Sequence, residues 1–262
     1  MMPVVPSIKT TRISQHEFKD LSYGVMQHVF EIHNEFGRLF DEKIYKRELA
    51  ARMHDVEIEV LVELIHGSFV KRLFADVIVS GSGLFEFKVA DTIHPKHRSQ
   101  AMQYLLLFDL SHAKIVNTQP DQVQHEFVNC HQRLADLRQF KIDSNHFDFS
   151  APGAHEFYAH LVLLLRDWGT GLCLSLYEQA LQHCLHGEES GNQLVSVNGR
   201  QGHLGEQPMG LVAPGIAFKL TALSKGEESF QTHAKRLLNH TSLNAIHWAN
   251  IKNELVTFKT IR

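Results

Sequence analysis

The feature that most constrains this chain is the run from Phe74 to Val89, FADVIVSGSGLFEFKV. It reads as two apolar strands joined by a Gly-Ser-Gly turn at 81–83. Three charged residues, Asp76, Glu86 and Lys88, interrupt the apolar stretches. Taking a charge out of water without a partner is costly, so any fold that accepts this hairpin must supply one. Side chains two apart along a strand share a face. Glu86 and Lys88 therefore project together, while Phe85, Phe87 and Val89 face the other way. Asp76, across the hairpin, reaches the same surface as Glu86. Two carboxylates and the backbone carbonyl of Phe87 form an oxygen-rich set suited to Mg²⁺ or Mn²⁺. Such an ion polarises a phosphoryl oxygen and activates bound water. Lys88 can orient that water and offset charge developing in the transition state. The plainer alternative is a structural ion pair, with Lys88 neutralising Glu86 or Asp76 on a half-exposed sheet.

Periodicity places this hairpin in an α/β chain. Val25, Val29, Ile32 and Phe36 predict an amphipathic helix over 21–36, ended by Gly37. A second helix is expected from Asp41 to Met53, and the alternation Val56-Glu57-Ile58-Glu59-Val60 predicts a strand. Pro95 opens a helix through Phe108, and strands follow near 113–118 and 124–129. The polar, turn-rich segment 141–153 reads as a linker. Beyond it come helices over 154–168 and 172–186, strands near 193–197 and 209–218, a helix over 228–239, and strands near 243–249 and 254–261.

Composition matters mainly for what it excludes. The 262 residues carry a net charge of −3, so nucleic-acid binding would need a local basic groove. No apolar run is long enough for a transmembrane helix, and the N-terminal residues lack the pattern of a signal peptide. Three irregularly spaced cysteines, Cys130, Cys173 and Cys184, suit reduced thiols in a cytoplasmic protein. His183-Cys184-Leu185-His186 lacks the second half that a structural zinc site needs.

Asp76, Glu86-x-Lys88 on a hairpin followed by a helix resembles the PD-(D/E)XK nuclease superfamily. Residues 21–129 resemble more specifically its GxxExxY family. The carriers are Glu31-Ile32-His33-Asn34-Glu35-Phe36-Gly37, then Glu42-x2-Tyr45, Ala75-Asp76, Glu86-Phe87-Lys88, His97-x2-Gln100-x3-Tyr104-Leu105 and Asn117. Leu39 stands where the motif has its naming glycine, and Gln103 stands where the helix has asparagine before its tyrosine. The resemblance implies a restriction-endonuclease-like mixed sheet flanked by helices, with Asp76 and Glu86 binding Mg²⁺ or Mn²⁺ and Lys88 positioning the nucleophile. It offers Glu42 as a further ligand to metal or water; a helix-surface acid favoured by the helix dipole is the alternative. Tyr45 is expected as a packed tyrosine with a wet hydroxyl. His97, Gln100 and Tyr104 share a helix face, with Gln100 suited to a phosphate or metal-bound water. Lys96 and Arg98 suit backbone phosphates or are ordinary solvated charges.

The second half repeats the order of the first. Tyr177 and Leu181 follow Gly171 as Tyr45 and Leu49 follow Leu39, and Asn198-Gly199 matches His66-Gly67. Aligning Phe218-Lys219 with Phe87-Lys88 puts Ala217 opposite Glu86. The expectation is a tandem duplication: a nuclease-like domain over 1–140 and, over 154–262, a diverged repeat without the carboxylates. The activity expected is hydrolysis of nucleic acid, DNA ahead of RNA, with a homodimer or internal pseudo-dimer widening the groove. The rival expectation is a non-catalytic interaction module that keeps the fold.

Overall fold

The computed structural model describes residues 3–187 and 191–262. Backbone proximity divides the chain into two units, Met1–Leu134 and Ala135–Arg262. Among the described residues no helix is long and apolar enough to cross a membrane.

The first unit runs β1 (Val4–Pro6), α1 (Gln15–Phe36), α2 (Glu42–Arg52), β2 (Val56–His66), β3 (Phe69–Val79), β4 (Gly83–Lys88), α3 (Pro95–Leu107), β5 (His112–Asn117) and β6 (Gln124–Asn129). The strands form one mixed sheet in the order β1-β2-β3-β4-β5-β6, with β4 and β5 parallel and the other pairs antiparallel. Helix α1 starts six residues before the expected 21. Ser14 caps it, accepting from the Glu17 N–H, while the Glu17 carboxylate accepts from the Ser14 N–H at 2.8 Å. This reciprocal box is written in the sequence as Ser14-x-x-Glu17. Val25, Val29 and Ile32 of α1, with Tyr45 and Leu49 of α2, bury against Val77, Val79, Phe85 and Phe87. The sheet face carrying Phe85 and Phe87 is thus the greasy one, as period-two alternation requires. The hairpin turn sits one residue earlier than expected. Ser80 and Gly81 hold φ of 50° and 59°, and the Ser82 N–H donates to the Val79 carbonyl at 3.0 Å. Positive φ at both central residues matches the twist of the flanking strands. Gly83 already belongs to β4, where a Cβ would lie 2.6 Å from a methyl of Leu21.

The second unit follows a short helix, α4 (Leu134–Leu137), with β7 (Lys141–His146), α5 (Ala154–Trp168), α6 (Leu174–His186), β8 (Gln193–Gly199), β9 (Gly202–Met209), β10 (Leu211–Ala213), β11 (Ile216–Thr221), α7 (Glu227–Asn239), β12 (Ala245–Ile251) and β13 (Leu255–Ile261). The expected linker over 141–153 is not one. Its first half is β7, which pairs in parallel with β13 as the edge of a five-stranded sheet ordered β10-β11-β12-β13-β7. Its polar sequence, KIDSNH, misled because an edge strand keeps much of its surface in water. The single strand expected over 209–218 is divided: β9 pairs with β8, Gly210 interrupts, and β10 and β11 form a short antiparallel pair. Strands β11 and β12 are parallel and β12 and β13 antiparallel.

Two side-chain brackets recur. Tyr45 is buried, and its hydroxyl donates to the Gly37 carbonyl at 2.6 Å rather than to water; Tyr177 donates to Gly169 at 2.5 Å. The amide of Asn117, at the end of β5, donates to the Ala90 carbonyl at 2.7 Å and accepts from the Ala90 N–H at 3.1 Å. At the end of β12, Asn250 does the same to Leu223, at 3.0 and 2.7 Å. In register, Lys88 stands beside Asn117 and Thr221 beside Asn250.

Candidate active site

The ladder between β3 and β4 pairs Val79 with Gly83, Ile78 with Leu84 and Val77 with Phe85. The next facing pair, Asp76 and Glu86, replaces backbone pairing with side-chain bonds. The Phe87 N–H donates to Asp76 Oδ2 at 2.9 Å, and the Asp76 N–H points to Glu86 Oε1 at 3.5 Å. The hairpin thus brings the two acids together where its strands stop pairing. Asp76 is 7% exposed and Glu86 wholly buried.

Lys88 draws the set together. Its Nζ donates to Asp76 Oδ2 at 3.1 Å, Glu86 Oε2 at 3.2 Å and the Phe87 carbonyl at 2.6 Å. These are the three oxygens expected to hold a metal, and they converge on one cation. An all-oxygen set of two carboxylates and a carbonyl fits a hard divalent ion, which keeps several waters of its own. Among the described residues no group of three or more His, Cys, Asp or Glu side chains is arranged to hold a metal. The carbonyl of Phe87 and added waters would have to complete the shell.

Lys46, on α2, is the member that sequence reasoning missed. It is 4% exposed, and its Nζ donates to Asp76 Oδ1 at 2.8 Å, to Glu42 Oε1 at 3.4 Å and to Glu59. Each Asp76 oxygen thus has its own lysine. Glu59 faces Asp76 across β2 and β3, between the pairs Ile58 with Val77 and Val60 with Ala75. Its φ of 51° is foreign to a strand and disfavoured for a side chain with a Cβ. That kink accompanies the reach of its carboxylate to Lys46. Nothing local could have flagged Lys46; its partners come from two other strands and its own helix.

The electrostatics follow from burial and from these contacts. Burial pushes Glu86 up to about 8; the Asp76 charge adds to this and Lys88 opposes it. Burial also raises Asp76, but Lys88 and Lys46 outweigh it and hold the carboxyl below its ordinary value. Glu42 is raised by burial and then by Asp76. Burial pulls both lysines down, and their acids more than reverse this, Asp76 and Glu59 for Lys46 and Glu86 and Asp76 for Lys88. Two acids pushed in opposite directions in one site mark it as a candidate for function.

The remaining expected residues are spread along α3. Burial, then the Glu86 charge, pushes Tyr104 up to about 12, and its hydroxyl bonds to Gln100. Tyr104 and Gln100 therefore border the acidic pair. His97 is buried and its Nδ1 accepts from the His94 N–H at 3.2 Å, so it caps α3; its pKa is lowered by burial and then by Lys88. Lys96 is exposed. Arg98 is held by Glu126 through two bonds, one of them 2.7 Å from NH2 to Oε2, and is not a free phosphate contact. Leu39, at the position of the motif glycine, is 91% exposed.

Residues 19–130 match the sequence model of the PD-(D/E)XK nuclease superfamily. The first unit's mixed sheet flanked by helices is consistent with the restriction-endonuclease-like fold that this superfamily implies. A solved structure titled "Crystal structure of SSO0001" is 24% identical over 44% of this chain and 59% of its own length, with a TM-score of 0.28. The chain thus spans less than two thirds of that protein's length. No curated protein matches the chain.

Proposed function

We propose that the first unit is a metal-dependent nuclease of the GxxExxY type, hydrolysing phosphodiester bonds in nucleic acid, with DNA ahead of RNA. The observation that carries the reading is the convergence of Asp76 Oδ2, Glu86 Oε2 and the Phe87 carbonyl on one cation, the Lys88 ammonium. These oxygens would hold Mg²⁺ or Mn²⁺, which supplies phosphoryl polarisation and a more acidic bound water. Lys88, beside those oxygens, would orient the attacking water and offset charge on the phosphoryl oxygens. Lys46 keeps Asp76 ionised and fixes its rotamer, while Glu42 and Gln100 border the site and can orient water.

The second unit supports the reading of a diverged, catalytically inactive repeat. Its helix pair, its tyrosine bracket and its asparagine bracket repeat those of the first unit. Counting from Asn117 and Asn250 gives an alignment shifted by two residues. Thr221 then stands where Lys88 does, Lys219 where Glu86 does and Met209 where Asp76 does. Counting from the tyrosines, Glu178 stands where Lys46 does. The acids are replaced and the central charges reversed. Lys219 and Glu178 approach to 3.9 Å, which leaves no carboxylate pair for a metal.

The test is cleavage of single- and double-stranded DNA and RNA with Mg²⁺ or Mn²⁺ by wild type, Asp76→Asn and Lys88→Met. Metal-dependent cleavage by wild type alone is expected. Equal activity in all three would remove the assignment. The second reading, a non-catalytic module, draws on the same contact, because Lys88 already satisfies both acids. It predicts no metal binding at millimolar Mn²⁺.

A further inference from the structure

We infer that the first unit carries a second ligand site, between α1 and β6, for a small anion on a flat apolar body, with Lys114 as its counter-charge. The inference stands independently of the nuclease reading. Lys114 lies on β5 and is 5% exposed. Among the described residues no acid offsets its charge; its ammonium lies over the Phe127 ring, 4.2 Å from the centroid. A buried cation set over a π face with no counter-charge is poorly compensated. The Ser22 hydroxyl is likewise buried with no hydrogen-bond partner. Unsatisfied buried polar groups are uncommon and call for a partner.

Both groups line one cavity of about 310 Å³, walled by Tyr23, Phe30, His125 and Phe127. That volume suits one small organic molecule. Three of these aromatics, Tyr23, Phe30 and Phe127, are among the most exposed large apolar side chains of the unit, at 78%, 42% and 47%. The one carboxylate along the wall among the described residues, Asp20, is exposed and bonded to His16 at 3.2 Å. Burial pushes Lys114 down to about 8, and burial and then the Lys114 charge lower His125. An anion set against Lys114 would relieve both, and its apolar body would cover the rings. A carboxylate supplies the acceptor that the ammonium and the Ser22 hydroxyl both lack, and an aromatic acid fits the walls.

Benzoate is the probe and benzamide its uncharged counterpart. Each is titrated into the full chain and followed by amide chemical shifts. Benzoate is expected to shift Ser22, His125 and Phe127 saturably and to bind at least about tenfold more tightly than benzamide, as a charge-assisted bond implies. Lys114→Met should erase that preference, and Lys114→Arg should retain it. Metal binding at Asp76 and Glu86 should be unchanged in both. Equal binding of the two probes to wild type, or no saturable benzoate shift by roughly 10 mM, would overturn the inference. So would concentration-dependent shifts at the same residues without probe, which would assign the face to a second copy of the chain. If Lys114→Met does not fold, the ratio measured on wild type decides.

Discussion

Replacing Lys46 with Met tests the reading of the site most sharply, because it moves two observables in opposite directions. The Lys46 ammonium contacts Asp76 Oδ1 at 2.8 Å and Glu42 Oε1 at 3.4 Å, and it also holds Glu59. Removing one member of a buried ion pair ordinarily costs about 3–5 kcal/mol. Here Asp76 keeps Lys88 at 3.1 Å and the Phe87 N–H at 2.9 Å, so it is not left alone. The Glu59 side chain is 53% exposed and Glu42 32%, so water takes over much of their share. Exposed pairs are worth about 1 kcal/mol at most. The net loss should be about 2–3 kcal/mol, or roughly 5–12 °C in melting temperature. Metal affinity should move the other way. A unit charge about 5 Å from an incoming divalent cation opposes it by roughly 7 kcal/mol at an effective dielectric of 20. Relaxation and screening leave enough for about tenfold tighter Mn²⁺ binding. Thermal melts without metal and calorimetric Mn²⁺ titrations measure the two effects. Lys46→Arg, which keeps the charge, is the control and should resemble wild type more closely in both. A Met variant as stable as wild type with unchanged Mn²⁺ affinity would refute the placement of Lys46 among the acids.

Three further outcomes follow from particular contacts. Glu86 is raised from 4.5 to about 8, so without metal the stability it contributes is full below its unfolded value and is lost as pH rises through about 8; urea unfolding should show wild type weaker at pH 8.5 than at pH 5, and Glu86→Gln should reduce that difference. Equal slopes in the two proteins would contradict the burial of an ionisable Glu86. Asn250→Ala should destabilise the second unit by about 2–4 kcal/mol, because the buried amide serves both backbone groups of Leu223 as well as Thr221; hydrogen exchange localised to β11 and β12 reads the loss, with cleavage by the first unit unaffected. Gly83→Ala should cost about 1–3 kcal/mol by overpacking, since its Cβ would meet Leu21 at 2.6 Å. A crystal structure of that variant with Leu21 unmoved, and a melting temperature equal to wild type, would count against it.

The helix at Ala154–Trp168 was legible to the residue, because its period and its flanking glycines are local signals. The start of α1 is equally written, in Ser14-x-x-Glu17, although the apolar stripe strengthens only later. The edge strand β7 reads as a linker because every side chain but Ile142 is polar, and an edge strand permits that. The hairpin of Asp76, Glu86 and Lys88 was legible because the three are close in sequence and alternate with apolar residues. The second half repeats the order of elements, and counting from the asparagine brackets gives a register two residues from the one that the letters give. Matching Phe-Lys to Phe-Lys follows letters, whereas the asparagine brackets follow geometry.

The amino-acid sequence by itself determined the strand and helix alternation, the acid-rich hairpin and the superfamily resemblance, all of which depend on neighbours within a few residues. Only the tertiary structure decided how the acids are neutralised. Lys46 lies 30 positions from Asp76 and 13 from Glu59, and it reaches them because α2 packs on the sheet where β2 and β3 lie side by side. The sign of Arg98 suits a phosphate or a solvated charge, and the fold pairs it with Glu126, 28 positions away. Charge is a property of the residue, but the cost of burying it is set by what the rest of the fold brings within about 4 Å.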